Sequence, residues 1–280
     1  MASLTAAAPA TRGHRVAVLG AGTIGEALLG GLVRAGTDPA DLTFCERYDV
    51  RAAEVSERTG VERTLDLVKA AAFGDVLLIA VKPADVVSAL DEIATGVTPE
   101  HLVVSVAAGI STATIEAHLA PGTPVVRVMP NTPLLVDEGM SAVVAGSRAT
   151  EQHLEQTEAM MRAVGRVVRV SEEQIDAVTA LSGSGPAYIY LLAEAMIDAG
   201  VLLGLPRALA TELTAQTALG AATMLRDAGQ HPAQLREAVT SPGGTTAAAL
   251  RVLDDKGMRA AVLGAIEAAQ QRAAQLARPV

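Results

Sequence analysis

Tryptophan is absent from the chain, and only two Phe and three Tyr occur among its 280 residues. So few rings leave little surface for stacking nucleobases. Positive charge is also short: 22 Lys and Arg face 31 Asp and Glu, for a formal net charge of −9, and no basic stripe offsets it. A nucleic-acid partner is therefore not expected. A single cysteine, Cys45, excludes a disulfide framework and fits a reducing compartment. Five His (residues 14, 101, 118, 153 and 231) lie scattered without metal-ligand spacing, so no metal is expected. No uncharged apolar run reaches the roughly 18 residues of a membrane span. The most apolar stretch, 187–205, carries Glu194 and Asp198. Residues 1–15 are rich in Ala but lack the apolar centre of a signal peptide, and 1–14 are expected to be disordered. The expectation is a cytoplasmic protein with neither membrane nor nucleic-acid partner.

What is present is apolar: half the residues are hydrophobic, and the length suggests two domains. Val16-Ala17-Val18-Leu19 reads as a short buried strand. Gly20-Ala21-Gly22-Thr23-Ile24-Gly25 follows at once and opens an apolar-periodic helix to about Ala35. Strand, glycine turn and helix in that order form the GxGxxG dinucleotide fingerprint. Gly20 makes the tight turn, Gly22 lets a pyrophosphate approach, and Gly25 lets helix and strand pack. Leu42–Cys45 is the second strand and ends at Glu46-Arg47. An acid at this point suits the ribose 2′-hydroxyl of NAD, whereas an adjacent Arg suits the 2′-phosphate of NADP. The two residues point in opposite directions.

Residues 75–81, apolar on both faces, read as a parallel strand running into Lys82-Pro83. Ligands of such sheets sit at the carboxyl ends of strands, so Lys82, one of three lysines, is expected to face the coenzyme crevice. Residues 102–106, with the small-residue exit Ala107-Ala108-Gly109, form another strand. Residues 124–129 form the next, closed by the stiff loop Pro130-Asn131-Thr132-Pro133. Two last strands, 141–145 and 165–170, flank a helix from about Thr150 and complete a doubly wound α/β sheet.

Beyond Val170 the period is helical almost throughout, which sets the expected boundary between domains 1–170 and 171–280. A flexible turn over 181–188 is expected to interrupt before a helix from Ile189 to Gly200. A domain so rich in Ala and Leu and so poor in charge is hard to bury alone, and a homo-oligomer is expected. Near its end, Thr240-Ser241-Pro242-Gly243-Gly244-Thr245-Thr246 runs into a helix, with Thr245 or Thr246 as the expected N-cap. Such a terminus offers backbone N–H groups and the positive end of the helix dipole to a small anion.

Taken in order, Gly20-Ala21-Gly22, Ala80-Val81-Lys82-Pro83, Met129-Pro130-Asn131-Thr132-Pro133, Ser182-Gly183-Ser184-Gly185-Pro186-Ala187-Tyr188 and the 240–246 segment resemble the pyrroline-5-carboxylate reductases. The likeness runs from about Val16 to Leu253, and Ser-Pro-Gly-Gly-Thr-Thr is its most specific part. It implies an N-terminal Rossmann-like doubly wound sheet followed by an all-α C-terminal dimerisation domain. It also implies NAD(P)H-dependent reduction of the cyclic imine 1-pyrroline-5-carboxylate to L-proline, the last step of proline biosynthesis. A homodimer is implied, and in members of the family dimers assemble into decamers.

Carried over residue by residue, the likeness makes Leu19, Gly20, Ala21, Gly22, Thr23, Ile24 and Gly25 coenzyme contacts. Arg47, Ala80, Val81, Lys82 and Pro83 join them, as do Val106, Ala107, Ala108 and Asn131. Ser241, Gly244, Thr245 and Thr246 become substrate contacts. Members often carry small polar residues where this chain has Glu46-Arg47. NADPH is expected from family habit and Arg47, with NADH as the alternative. Thr246 is the candidate catalytic residue. An unassisted hydroxyl is too weak an acid to protonate an imine, so Thr246 either orients the iminium N–H or relays a proton from water. Two rivals remain: a β-hydroxyacid dehydrogenase, whose acid/base lysine has no counterpart between Ser182 and Leu253, and a non-catalytic dinucleotide sensor.

Overall fold

The computed structural model describes residue 11 and residues 13–276. Its strands are β1 (Val16–Leu19), β2 (Leu42–Cys45), β3 (Glu62–Thr64), β4 (Val76–Ile79), β5 (Leu102–Ser105), β6 (Val125–Met129), β7 (Gly139–Ala145) and β8 (Gly165–Arg169). They form one sheet in the order β3-β2-β1-β4-β5-β6-β7-β8. Strands β1 to β6 are mutually parallel, β7 runs antiparallel to β6, and β8 runs parallel to β7. The order reverses between β1 and β4, which is where a doubly wound sheet opens its binding crevice.

Continuous apolar runs put both faces of the sheet in the core. On one face Val16, Val18, Leu78, Val104, Val126 and Val128 pack with Leu28, Leu29 and Leu32 of the helix Thr23–Arg34. On the other, Ala17, Leu19, Leu77, Ile79 and Val103 pack with Leu90, Ile93 and Ile115. Strand β3 has no counterpart in the sequence reading. Its three residues, Glu-Arg-Thr, are polar and lie at the sheet edge, so no apolar pattern announces them.

Three expectations on local structure change. Strand β4 stops at Ile79, so Ala80 and Val81 belong to the turn beyond it. The segment around Ser182 is not a flexible interruption: Thr179–Gly183 is a π-helical turn, and the next helix already starts at Gly185 and runs to Leu202. Pro186 lies in its first turn, where the missing N–H costs nothing, so the Gly-Pro pair starts a helix instead of breaking one. Of the start expected to be disordered, residues 1–10 and 12 lie outside the described residues. Thr11 is buried, and its hydroxyl donates to Thr37 Oγ1 at 2.9 Å.

The described chain divides into two compact units. One runs up to Gly183 and includes the residues from Gln270 onward; the other is Ser184–Ala269. Strands therefore end at Arg169, while the first unit continues through the π-helical turn. The second unit is helical: Gly185–Leu202, Arg207–Asp227, Pro232–Ala238, Thr245–Asp255 and the beginning of Met258–Leu276. Small residues bring its first two helices together, and a Cβ on Gly200 would sit 3.0 Å from Ala210 Cβ. Otherwise this unit exposes its apolar residues, with Leu202 88 % and Leu203 85 % exposed and Tyr190, Leu191, Leu219 and Leu263 likewise open. The helical run Glu172–Leu202 is long and apolar enough to cross a membrane by length and composition alone.

Candidate functional site

In the first unit a cleft of about 490 Å³ opens where the carboxyl ends of β1, β2 and β4 meet. Of the residues singled out in the sequence, Gly20, Gly22, Cys45, Glu46, Arg47, Ala80, Val81 and Lys82 line it. The three fingerprint glycines occupy three different environments. Gly20 has φ +98°, and a Cβ there would meet Val81 N at 2.9 Å. A Cβ on Gly25 would lie 2.1 Å from Gly20 O, so the helix packs directly on the end of β1. Gly22 has nothing within 4 Å of its would-be Cβ, so its side toward the cleft is open. It is also the N-cap of the helix Thr23–Arg34, with no side chain capping it. An open, uncapped helix start is what a pyrophosphate requires, and these residues fit a dinucleotide coenzyme.

The remaining expected coenzyme residues spread outward from the cleft. Leu19 is the buried end of β1, Ala21 is buried, and Thr23 is the exposed first residue of the helix. Ile24 packs against the core. Pro83 begins a 3-10 turn after Lys82. Val106 and Ala107 are buried just past β5, and Ala108 is exposed; none of the three lines this cleft. Asn131 turns to protein at both ends of its amide: Oδ1 accepts from Met140 N at 2.8 Å, and Nδ2 donates to Ser182 O at 3.2 Å. It fastens the Pro130–Pro133 loop to β7 and to the π-helical turn.

Other cleft residues escaped the sequence reading. Tyr48 and Arg51 follow β2 directly, while Leu65, Asp66 and Leu67 follow the unexpected β3. Asp85 and Glu92 come from the segment after β4. The signal for the middle group was the Asp66 N-cap, whose carboxylate accepts from Lys69 N at 2.7 Å. Glu46 accepts from Ala21 N at 3.2 Å and from Tyr48 N at 3.1 Å. Arg47 and Lys82 are exposed at the cleft. Cys45 lies on its floor, and burial pushes its thiol pKa up.

In the second unit, the turn before Thr245–Asp255 carries the expected anion site. The N-cap is Gly244, not Thr245 or Thr246. Gly244 N bonds Ser241 O at 3.0 Å, and Gly243 takes φ +70°, so the turn closes one residue earlier than the Thr pair suggests. Thr245 and Thr246 become the first two helical residues, and no side chain caps the terminus. Its first N–H groups are thereby left for an outside acceptor. Ser241 and Thr245 are exposed, and Thr246 is half-buried. Among the described residues no group of three or more His, Cys, Asp or Glu could hold a metal ion.

Two family models match: one described as pyrroline-5-carboxylate reductase dimerisation over residues 172–276, and one described as NADP oxidoreductase, coenzyme F420-dependent, over 15–109. A pyrroline-5-carboxylate reductase of Corynebacterium melassecola is 45 % identical over 94 % of this chain and 98 % of its own. Among solved structures, the reductase of Coxiella burnetii superposes with a TM-score of 0.90 at 38 % identity, covering 95 % of this chain and 99 % of that one. The Plasmodium falciparum pyrroline carboxylate reductase with NADP bound gives 0.86 at 29 % identity, covering 96 % and 100 %.

Proposed function

Since the chain belongs to the pyrroline-5-carboxylate reductase family, we propose that it reduces 1-pyrroline-5-carboxylate to L-proline with NADPH, the last step of proline biosynthesis. NADPH supplies the hydride that the imine carbon accepts. The chain's own residues do the rest. Gly20 and Gly25 shape the turn, and Gly22 and the helix start behind it receive the pyrophosphate. Arg47 reads the adenosine 2′-phosphate at the cleft mouth, and Lys82 adds a second positive charge there. The open approach over Gly22 is the observation that carries this reading.

The substrate carboxylate docks on the uncapped helix start at Gly244, Thr245 and Thr246, with Ser241 beside it. Charge-assisted bonds of this kind are worth roughly 1.5–3 kcal/mol each, enough to orient a ligand with few other handles. Thr246 holds the ring nitrogen: its hydroxyl accepts from the iminium N–H or relays a proton from water. Asn131 holds the Pro130–Pro133 loop in place through its amide.

The helical unit's exposed leucines are subunit interface, and the assembly is a homodimer that associates further into decamers. The apolar helix Gly185–Leu202 belongs to that interface and not to a membrane. The protein works in the cytoplasm, and its −9 charge keeps it from nucleic acid. Loss of NADPH absorbance in the presence of pyrroline-5-carboxylate tests the activity, with proline as the product to be identified. Well-folded protein that consumes neither NADPH nor NADH would sink the reading and favour a sensor.

A further inference from the structure

The Ala21 residue in the middle of the glycine turn is gripped from both sides by residues outside the fingerprint. Its N–H donates to Glu46 Oε2 at 3.2 Å, and its carbonyl accepts from Arg51 Nε at 3.2 Å. Arg51 is itself anchored, its Nη2 donating to Glu26, a carboxylate that also receives Arg58. Glu46 is anchored by its second oxygen on Tyr48 N at 3.1 Å. We propose that Glu46 and Arg51 are positioning residues that orient the two peptide planes flanking Ala21 for the coenzyme's pyrophosphate, and that Glu46 therefore does not select NADH. This inference rests on the coenzyme reading above.

Peptide planarity supplies the argument. In a trans peptide the C=O and N–H point in opposite directions. Arg51 holds the Ala21 carbonyl, so the Gly22 N–H of the same plane points the other way. Glu46 holds the Ala21 N–H, so the Gly20 carbonyl of that plane also points away from it. That carbonyl faces Gly25, whose would-be Cβ lies 2.1 Å from it. Two planes are thus fixed by two charged side chains, and the turn is preorganised before any ligand arrives. The same bonds decide what Glu46 does. Each of its oxygens already accepts a backbone N–H, which fixes the carboxylate on the turn and sets it to work there, ahead of the ribose 2′-hydroxyl that its sequence position suggests. Arg47 remains exposed at the same cleft and is the residue that tells the two coenzymes apart.

Titrating the full-length protein with NADPH and with NADH, and following coenzyme fluorescence, tests this without turnover. Arg51→Met should weaken both coenzymes by the same factor, roughly tenfold for one lost charge-assisted bond. Glu46→Gln keeps an oxygen for the Ala21 N–H and should leave the NADPH-to-NADH affinity ratio at its wild-type value. Glu46→Ala should weaken both coenzymes together. If Arg51→Met fails to fold, Arg51→Lys carries the same expectation, since it keeps a charge near Glu26 but has no guanidinium fork. A selective loss of NADH in Glu46→Gln would make Glu46 the ribose acceptor and overturn the proposal. A selective loss of NADPH in the Arg51 variants, or no loss at all, would overturn it equally. Wild-type protein that binds neither coenzyme would remove the coenzyme reading and this inference together, whereas wild-type binding with the wrong variant pattern removes only the latter.

Discussion

Thr246 is the second residue of a helix whose start no side chain caps, and under the proposed function its N–H serves the substrate carboxylate while its hydroxyl serves the ring nitrogen. Removing the hydroxyl leaves that backbone intact. Thr246→Ala should therefore lower kcat by roughly 10²-fold, the scale of a lost proton-handling group, with NADPH affinity unchanged, and Thr246→Ser should restore most of it. Steady-state kinetics with separate coenzyme titration decides this; full turnover in the Ala variant would show the role to be wrong. Lys82 is exposed at the cleft, and the proposed function sets its charge against a coenzyme phosphate. Lys82→Ala should raise the KM for NADPH about tenfold, as befits one charge-assisted contact, with kcat at saturation unchanged. A collapse of kcat would make it catalytic. That Lys82 lines this cleft was legible in the sequence because the turn that follows a parallel strand opens on the crevice. The role of Asn131 was not, because its amide is taken up by Met140 and Ser182, partners 9 and 51 residues away.

The glycine turn separates folding from binding within a single element. Gly25→Ala forces a methyl against Gly20 O at 2.1 Å and should lower the melting temperature sharply or prevent folding. Gly22→Ala meets nothing in the protein, so it should melt like wild type yet lose most of its NADPH affinity. Calorimetry and fluorescence titration of both variants read the split. The helix Glu151–Arg162 is tied to β8 in another way: Glu158, with a side chain only 9 % exposed, accepts from Arg169 and from Arg162, the latter at 2.7 Å. The Arg169 bond chiefly holds the Glu158 carboxyl below its ordinary value of 4.5. A depressed folded-state pKa stabilises above the unfolded value, and the benefit disappears as pH falls through the folded one. Glu158→Gln should melt lower than wild type at pH 7, and the gap should close on acidification below the ordinary carboxylate range; a gap independent of pH would contradict this. Strands with apolar runs on both faces were readable at nearly their true limits. Strand β3 and the Gly244 cap were not. The first is polar and held by pairing to β2, and the second is set by a backbone bond to Ser241 that residue type does not reveal.

At the scale of the whole molecule, the helical unit oligomerises because its leucines have nowhere else to go. With Leu202 and Leu203 almost fully exposed in a lone chain, association should add to the stability of the folded chain. The melting temperature should rise with protein concentration, and light scattering should give no monomer; a monomer with a concentration-independent melt would refute the interface reading. One more property belongs to the entire chain. It carries a single sulfhydryl, half-buried at the floor of the dinucleotide cleft, where burial raises its pKa. A thiol reagent will count one slow group per polypeptide. Its labelling rate becomes a clock for how often that floor is bared to solvent, ticking more slowly when the cleft is filled.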